Sequence, residues 1–203
     1  MTRILAISAG LSQPSSTRML ADRLVTATGA ELGDDATIDV VELRDLAHDV
    51  TDNLLTGFAN PRLREVLDRL DAADGLILVS PTFTASYSGL FKSFMDVVDP
   101  ASMADKPVLV AATGGTERHS LVLDHALRPL LAYLRARVVP TAVYAASGDW
   151  GGDADLNRRI ARAAGELADV VRGRPAEPKA DPFTDPTPFA ELLRETATQR
   201  GMP

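Results

Sequence analysis

The chain has 203 residues, 45% of them hydrophobic and 24% charged, the size and balance of one globular domain. Its 28 acidic against 21 basic side chains leave a net charge of −7, which argues against nucleic acid as a partner. There is no cysteine, so disulfides, thiolate metal sites, iron–sulfur clusters and cysteine nucleophiles are excluded together, and any redox chemistry needs a bound cofactor.

The apolar run at residues 4–7 is strand-sized, far short of a signal-peptide core, and no stretch approaches the ~20 residues that span a bilayer. No membrane association and a cytoplasmic location are therefore expected. Further short apolar runs follow at 38–43, 76–79, 108–112 and 138–144. They lack strict alternation, which suits parallel strands covered on both faces. Helical patterns separate them. One is expected over 16–28. In the next, Leu63, Val66, Leu67 and Leu70 share a face behind Asn60 as N-cap and Pro61 at the first helical position. Phe91, Phe94, Met95 and Val98 repeat the spacing, as do Leu127, Leu130, Leu131 and Leu134, where Pro129 should kink or split the helix. A last helix is expected over 153–171. Five βα units in series predict an α/β fold with an open, doubly wound parallel sheet.

Residues 174–203 hold six of the 13 prolines and cannot be regular core. The expected division is a domain over 1–173 and a Pro-rich tail over 174–203, which is either simply disordered or anchored by Phe183 and Phe189 with a short helix over 187–198.

In such a sheet ligands bind beyond the carboxyl ends of the strands. After the first strand come Ser8, Gly10, Ser12, Ser15, Ser16 and Thr17, leading into a helix. Hydroxyls and free N–H groups at a helix N-terminus suit a phosphate. The segment lacks both G-x-x-x-x-G-K-[ST] and G-x-G-x-x-G, so neither a Walker-type site nor a Rossmann dinucleotide fingerprint is present. After the third strand, Pro81, Thr82, Phe83, Thr84 and Ser86 offer a fixed backbone, an aromatic ring and hydroxyls, a wall suited to a flat heterocycle. After the fourth, Thr113, Gly114, Gly115 and Thr116 expose backbone N–H groups to ring carbonyls, with His119 close by. Each loop alone also suits a plain turn and helix cap. Converging on one crevice, the three make a ligand site. The three histidines, 48, 119 and 125, form no metal-binding pair, and no metal site is expected.

The hydroxyl-rich loop, the run Ser80-Pro81-Thr82-Phe83-Thr84-Ala85-Ser86-Tyr87-Ser88-Gly89-Leu90-Phe91-Lys92 and the run Ala111-Ala112-Thr113-Gly114-Gly115-Thr116 together resemble the flavodoxin-like NADPH-dependent FMN reductases. The segment 113–134 is most similar to the subgroup that supplies reduced flavin to two-component monooxygenases of the alkanesulfonate type. The resemblance covers about residues 1–172. It implies a flavodoxin-like five-stranded sheet of order 2-1-3-4-5, FMN with NADPH or NADH as cofactors, and a homodimer or homotetramer. It further implies that Ser8, Gly10, Ser12 and Ser15, Ser16 and Thr17 surround the FMN phosphate, that Pro81, Thr82, Phe83, Thr84 and Ser86 border the isoalloxazine, and that Thr113, Gly114, Gly115 and Thr116 meet its pyrimidine edge. Many relatives carry an arginine in the phosphate loop, where this chain has Leu11, Ser12 and Gln13, so hydroxyls and dipoles would carry the phosphate. Relatives also often carry Tyr-Asn-Gly in place of Phe83-Thr84-Ala85. The implied activity is hydride transfer from a nicotinamide to FMN without a catalytic side chain, feeding a flavin-dependent monooxygenase. An FMN-retaining quinone, azo or metal-oxyanion reductase and a flavodoxin-like electron carrier are the alternatives.

Overall fold

Alternate residues of the first strand, β1 (Thr2–Ser8), enter two different cores: Leu5 and Ile7 face one side of the sheet, Ile4 and Ala6 the other. Both faces are therefore dry, which is why the strand reads as a continuous apolar run. The computed structural model describes residues 1–151 and 154–173. After β1 come α1 (Ser16–Leu32), β2 (Ala36–Glu42), a 3-10 turn (Leu43–Leu46) running into α2 (Ala47–Thr56), and α3 (Pro61–Ala72). Next are β3 (Gly75–Phe83), β4 (Ser86–Tyr87), α4 (Gly89–Val97) and the single turn α5 (Pro100–Met103). Then follow β5 (Pro107–Gly114), a π-helical turn (Leu123–Leu127) continuing as α6 (Arg128–Tyr133), β6 (Arg137–Val138), β7 (Val143–Ala146) and α7 (Ala154–Val171).

Helices α1 and α7 cover one face through Leu20, Leu24, Leu156, Ile160 and Leu167. The opposite face is covered by α2, α3, α4 and α6 through Val50, Leu63, Leu70, Phe91, Phe94 and Leu131. Phe91 and Phe94 are fully buried, a gain of roughly 2–3 kcal/mol each from transfer alone. Asn60 caps α3 by accepting from the Leu63 N–H at 3.0 Å, with Pro61 at the first position, as the sequence leads one to expect. At the other end of α3, Lys106 Nζ donates to the carbonyls of Leu70, Asp71 and Ala73 at 3.0, 2.8 and 2.8 Å. The last carbonyls of a helix lack a full set of intrahelical partners, and the ammonium gathers them, the Leu70 carbonyl also accepting from the Ala73 N–H at 3.3 Å.

The α/β, flavodoxin-like class with a parallel sheet stands, but the five-stranded count does not. Among the described residues the sheet has seven strands, in the order β2-β1-β3-β5-β6, with β4 paired to β3 and β7 to β5. Two local causes account for the excess. Residues 82–87 fold back as an antiparallel hairpin, adding β4. The run at 138–144 is split into β6 and β7, both parallel to β5. Pro140 has no N–H for the ladder. Around it, Arg128 donates to the carbonyls of Val139 and Pro140, and the Glu166 carboxylate accepts from Thr141 N and Oγ1 at 2.6 and 2.8 Å. Val139 N–H still donates to the Val108 carbonyl of β5 at 2.9 Å, and from Pro140 onward side chains take over from the ladder.

Pro129 changes the helix as anticipated. Its missing N–H coincides with the passage from the π-helical turn to α6. Helix α2 and the turn before it have no counterpart among the elements expected from sequence. The tail, with Phe183, Phe189 and the 187–198 segment, and Asp153 at the start of the last expected helix lie outside the described residues. No helix among the described residues is long and apolar enough to cross a membrane.

Candidate active site

The parallel register places the ends of β1, β3 and β5 side by side. Ser8 pairs with Val79, and Pro81 pairs with Thr113. The three loops picked out in the sequence therefore share one edge. Seven polar side chains are buried among the described residues: Ser8, Ser15, Thr17, Thr28, Ser80, Ser88 and Thr113. All but Thr28 lie at this edge, and a cluster of buried polar groups carries more information than any exposed one.

Beyond β1 the chain turns sharply into α1. Ser15, and not Ser16, is the N-cap, its Oγ accepting from the Arg18 N–H at 3.2 Å. Gly10 lets the turn close against this cap: a Cβ there would stand 2.1 Å from Ser15 Oγ. Ser8 Oγ is fully buried and has no hydrogen-bond partner among the described residues, which costs about 1–3 kcal/mol until something binds it. Ser12 and Ser16 are exposed, on the outer side of the loop.

The sequence reading missed two cations. Arg44 reaches back from the turn after β2 and donates to the Ser12 carbonyl at 3.1 Å, so a guanidinium supports the loop although none lies within it. Arg18 sits one turn into α1. Both are engaged by Glu42, at 3.1 Å from Arg44 Nη2 and 2.8 Å from Arg18 Nη1. The only hint in the sequence was an arginine two residues after the second strand, and pairing of β1 with β2 is what brings it across.

Beyond β3, Pro81 is buried, Thr82 half-buried, and Phe83 and Thr84 exposed. Thr84 and Ala85 form the tip of the hairpin with φ of 48° and 65°, the left-handed region that β-branched and alanine residues seldom adopt. The hairpin base is fixed by Ser80, whose Oγ accepts from the Ser88 N–H at 2.9 Å, and by Ser88, which caps α4. Ser86 stands half-buried on the returning strand.

Beyond β5, Thr113 Oγ1 is hydrogen-bonded to Thr17 Oγ1 at 2.9 Å, joining this loop to α1. Gly114 is flanked by Tyr144 and Thr82: a Cβ on it would stand 2.1 Å from the Tyr144 hydroxyl oxygen and 3.5 Å from Thr82 Cβ. Tyr144 Oη donates to the Thr116 carbonyl at 2.8 Å and so fixes the outward course of Gly115 and Thr116. Burial pushes the Tyr144 phenol above its usual pKa, with Asp149 and Glu117 acting in the same direction. Tyr144 was not among the expected site residues, because on β7 it reads as core. His119 ends a 3-10 turn (Glu117–His119) instead of opening a helix, and Ser120 closes that turn. It lines a separate cleft beside the hairpin.

The family model for NADPH-dependent FMN reductase matches residues 2–151. The chain belongs to the NADPH-dependent FMN reductase family. An FMN reductase (NADPH) from Pseudomonas aeruginosa is 41% identical over 178 residues, covering 85% of this chain and 94% of that protein. An NADH-dependent FMN reductase, SfnF, from Pseudomonas fluorescens is 38% identical over 150 residues, covering 73% and 78%. Among solved structures, an oxidoreductase from Corynebacterium diphtheriae is 47% identical with a TM-score of 0.83, covering 86% of this chain and 99% of that one. As a member of this family the chain is an NAD(P)H-dependent FMN reductase, with FMN and a nicotinamide nucleotide as its cofactors.

The edge of the sheet fits FMN. The first-turn N–H groups of α1 have no acceptor within the helix, and the unpartnered Ser8 hydroxyl beside them is a ready donor to a phosphate oxygen. Gly115 has open space where a Cβ would stand, which leaves its backbone accessible to a flat ring.

Proposed function

We propose that this reductase binds FMN across the three loops, reduces it with NAD(P)H and hands FMNH2 to a flavin-dependent monooxygenase. The binding unit is residues 1–173, and the active form is a cytoplasmic homodimer or homotetramer. Ser8, Gly10, Ser12, Ser15, Ser16 and Thr17 receive the phosphate. Pro81, Thr82, Phe83, Thr84 and Ser86 flank the ring, and Thr113, Gly114, Gly115 and Thr116 meet its pyrimidine edge, with His119 on the nicotinamide side. Bound FMN supplies the chemistry, taking a hydride at N5 from nicotinamide C4. The protein holds the two rings in contact and needs no side-chain acid or base.

The observation that carries the reading is the clustering of buried hydroxyls, Ser8 unpartnered among them, at the one edge where β1, β3 and β5 end together. Release of the product is favoured by Glu42. It already occupies Arg18 and Arg44, so the phosphate meets hydroxyls and backbone dipoles and not a free guanidinium, and such a site lets flavin go.

The test is NADPH and NADH oxidation by purified protein, followed at about 340 nm with and without added FMN, after recording its visible spectrum. Turnover that requires added FMN, from a nearly colourless protein, is the expected result. A yellow protein that oxidises the nucleotide only when a quinone is present would move the assignment to a flavin-retaining reductase. Absence of oxidation in every condition would leave an electron carrier.

A further inference from the structure

A cleft of about 310 Å³ opens between the tip of the β3–β4 hairpin and the segment that follows the glycine pair of β5. Its walls include Ala85 and Ser86 on one side and Arg118, His119, Leu121 and His125 on the other. Two of the three histidines of the chain thus meet an arginine in one place. None of the residues lining the cleft is acidic, in a protein with a net charge of −7. The clefts beside Arg69, Arg23, Arg64 and Arg44 each carry an aspartate, respectively Asp39, Asp22, Asp68 and Asp45.

Arg118 also differs from its neighbours at this end of the sheet. Arg18 and Arg44 are bound to Glu42, and Arg159 to Asp155. Arg118 makes no ion pair among the described residues. Asp124, next to His125 in sequence, is turned to Arg128 at 2.9 Å. What remains is a shallow depression with apolar patches from Ala85 and Leu121, one free guanidinium and two imidazoles. Such a surface recognises a phosphate monoester attached to a flat apolar ring: the guanidinium and the imidazole nitrogens meet a charge near −2 and the apolar walls take the ring.

We propose that this cleft binds the adenosine end of the nicotinamide nucleotide and that Arg118, supported by His119 and His125, recognises the 2′-phosphate that distinguishes NADPH from NADH. The inference rests on the assignment of the neighbouring loops to FMN. Arg118 is four residues beyond Gly114, and Ala85 is three residues beyond Thr82. A nucleotide lying in the cleft therefore has its other end within reach of the flavin ring. FMN itself, with its phosphate at α1, makes no use of Arg118.

The test is the Arg118→Gln variant, with Arg64→Gln on α3 as a control of equal charge change. For each, kcat/KM is measured with NADPH and with NADH at saturating FMN, and the affinity of 2′,5′-ADP, which carries the 2′-phosphate but no nicotinamide, is measured by calorimetry against 5′-AMP. The expected result is a fall of about tenfold or more in the NADPH to NADH ratio for Arg118→Gln, the range for losing one charged hydrogen-bonding partner. A parallel loss of 2′,5′-ADP affinity and no change for Arg64→Gln are expected with it. His125→Gln should move the ratio in the same direction by less. An unchanged ratio, or a wild-type protein that binds 2′,5′-ADP no better than 5′-AMP, overturns the proposal. A wild-type protein that oxidises neither nucleotide with FMN overturns the functional assignment instead, and the calorimetry still reports on the cleft.

Discussion

Thr17 Oγ1 and Thr113 Oγ1 lie 2.9 Å apart in the protein interior, a hydrogen bond between residues 96 positions apart. It fastens the start of α1 to the end of β5, so the loop assigned to the phosphate and the loop assigned to the pyrimidine edge move as one piece. A hydroxyl pair of this kind adds only about 1 kcal/mol when both partners are present, but removing one strands the other in the core. Thr17→Val and Thr113→Val should each lower stability by about 1–2 kcal/mol, and the double variant by clearly less than their sum. Urea denaturation of the four proteins checks this, and an additive result would show that the pair is not coupled. KM for FMN should rise in both single variants.

Gly114 is required because Tyr144 occupies the space beside it. Gly114→Ala would press a methyl group to 2.1 Å from the phenol oxygen, forcing Tyr144 off the Thr116 carbonyl, at a cost of about 1–3 kcal/mol. Adding Tyr144→Phe to Gly114→Ala removes the clashing oxygen and should restore part of the loss, although Tyr144→Phe alone costs about 1 kcal/mol. A double variant less stable than Gly114→Ala would contradict the stated cause.

The raised pKa of Tyr144 gives a pH signature. Its phenol ionises later in the folded protein than the usual ~10 of an unfolded tyrosine, chiefly because it is buried. The contribution to stability is therefore complete below about pH 10 and is lost as pH rises from there through the folded value. Thermal melts at about pH 9 and about pH 11 should show a steeper alkaline loss for the wild type than for Tyr144→Phe. Equal slopes would mean that the phenol is not protected.

The hairpin tip offers a stabilising change. Thr84 and Ala85 are both held at positive φ, where Asn-Gly would be the pair best suited to a two-residue turn. Ala85→Gly should raise stability by about 1 kcal/mol, since the left-handed conformation costs an L-residue roughly 1–2 kcal/mol and glycine gives part of that back in backbone entropy. Thermal denaturation decides, and a lower melting temperature refutes the account.

The sequence was most informative where burial is two-sided and loops are short. Apolar runs located β1, β3 and β5 because each is buried on both faces, and the cap at Asn60 placed α3 to the residue. Helix α2 was missed because it is short and only Val50 of its ten residues is buried, so its apolar stripe is narrow. The fifth strand was read as one because Val138, Val139, Val143 and Tyr144 are apolar, while the partners that hold the gap open, Arg128 and Glu166, come from elsewhere in the chain. Three candidate loops could be named from hydroxyls and glycines that follow strands, and the register brings them to one edge. Arg44 and Tyr144 could not, since their relation to the site arises from pairing between strands.

The break at Pro140 also bears on how copies of this protein behave at high concentration. Among the described residues, β6 and β7 form one margin of the sheet, and an intact margin strand would present a row of open peptide groups on which another chain could template itself. Here that row is cut into pieces of two and four residues. Between them the carbonyls of Val139 and Pro140 are occupied by Arg128, and the Thr141 N–H by Glu166. Pieces so short offer poor seeds for fibril growth, while β7 stays in register with Thr113 and Gly114. One interruption therefore shields the molecule from sticking edge to edge and leaves the floor beneath the loops proposed for flavin firm.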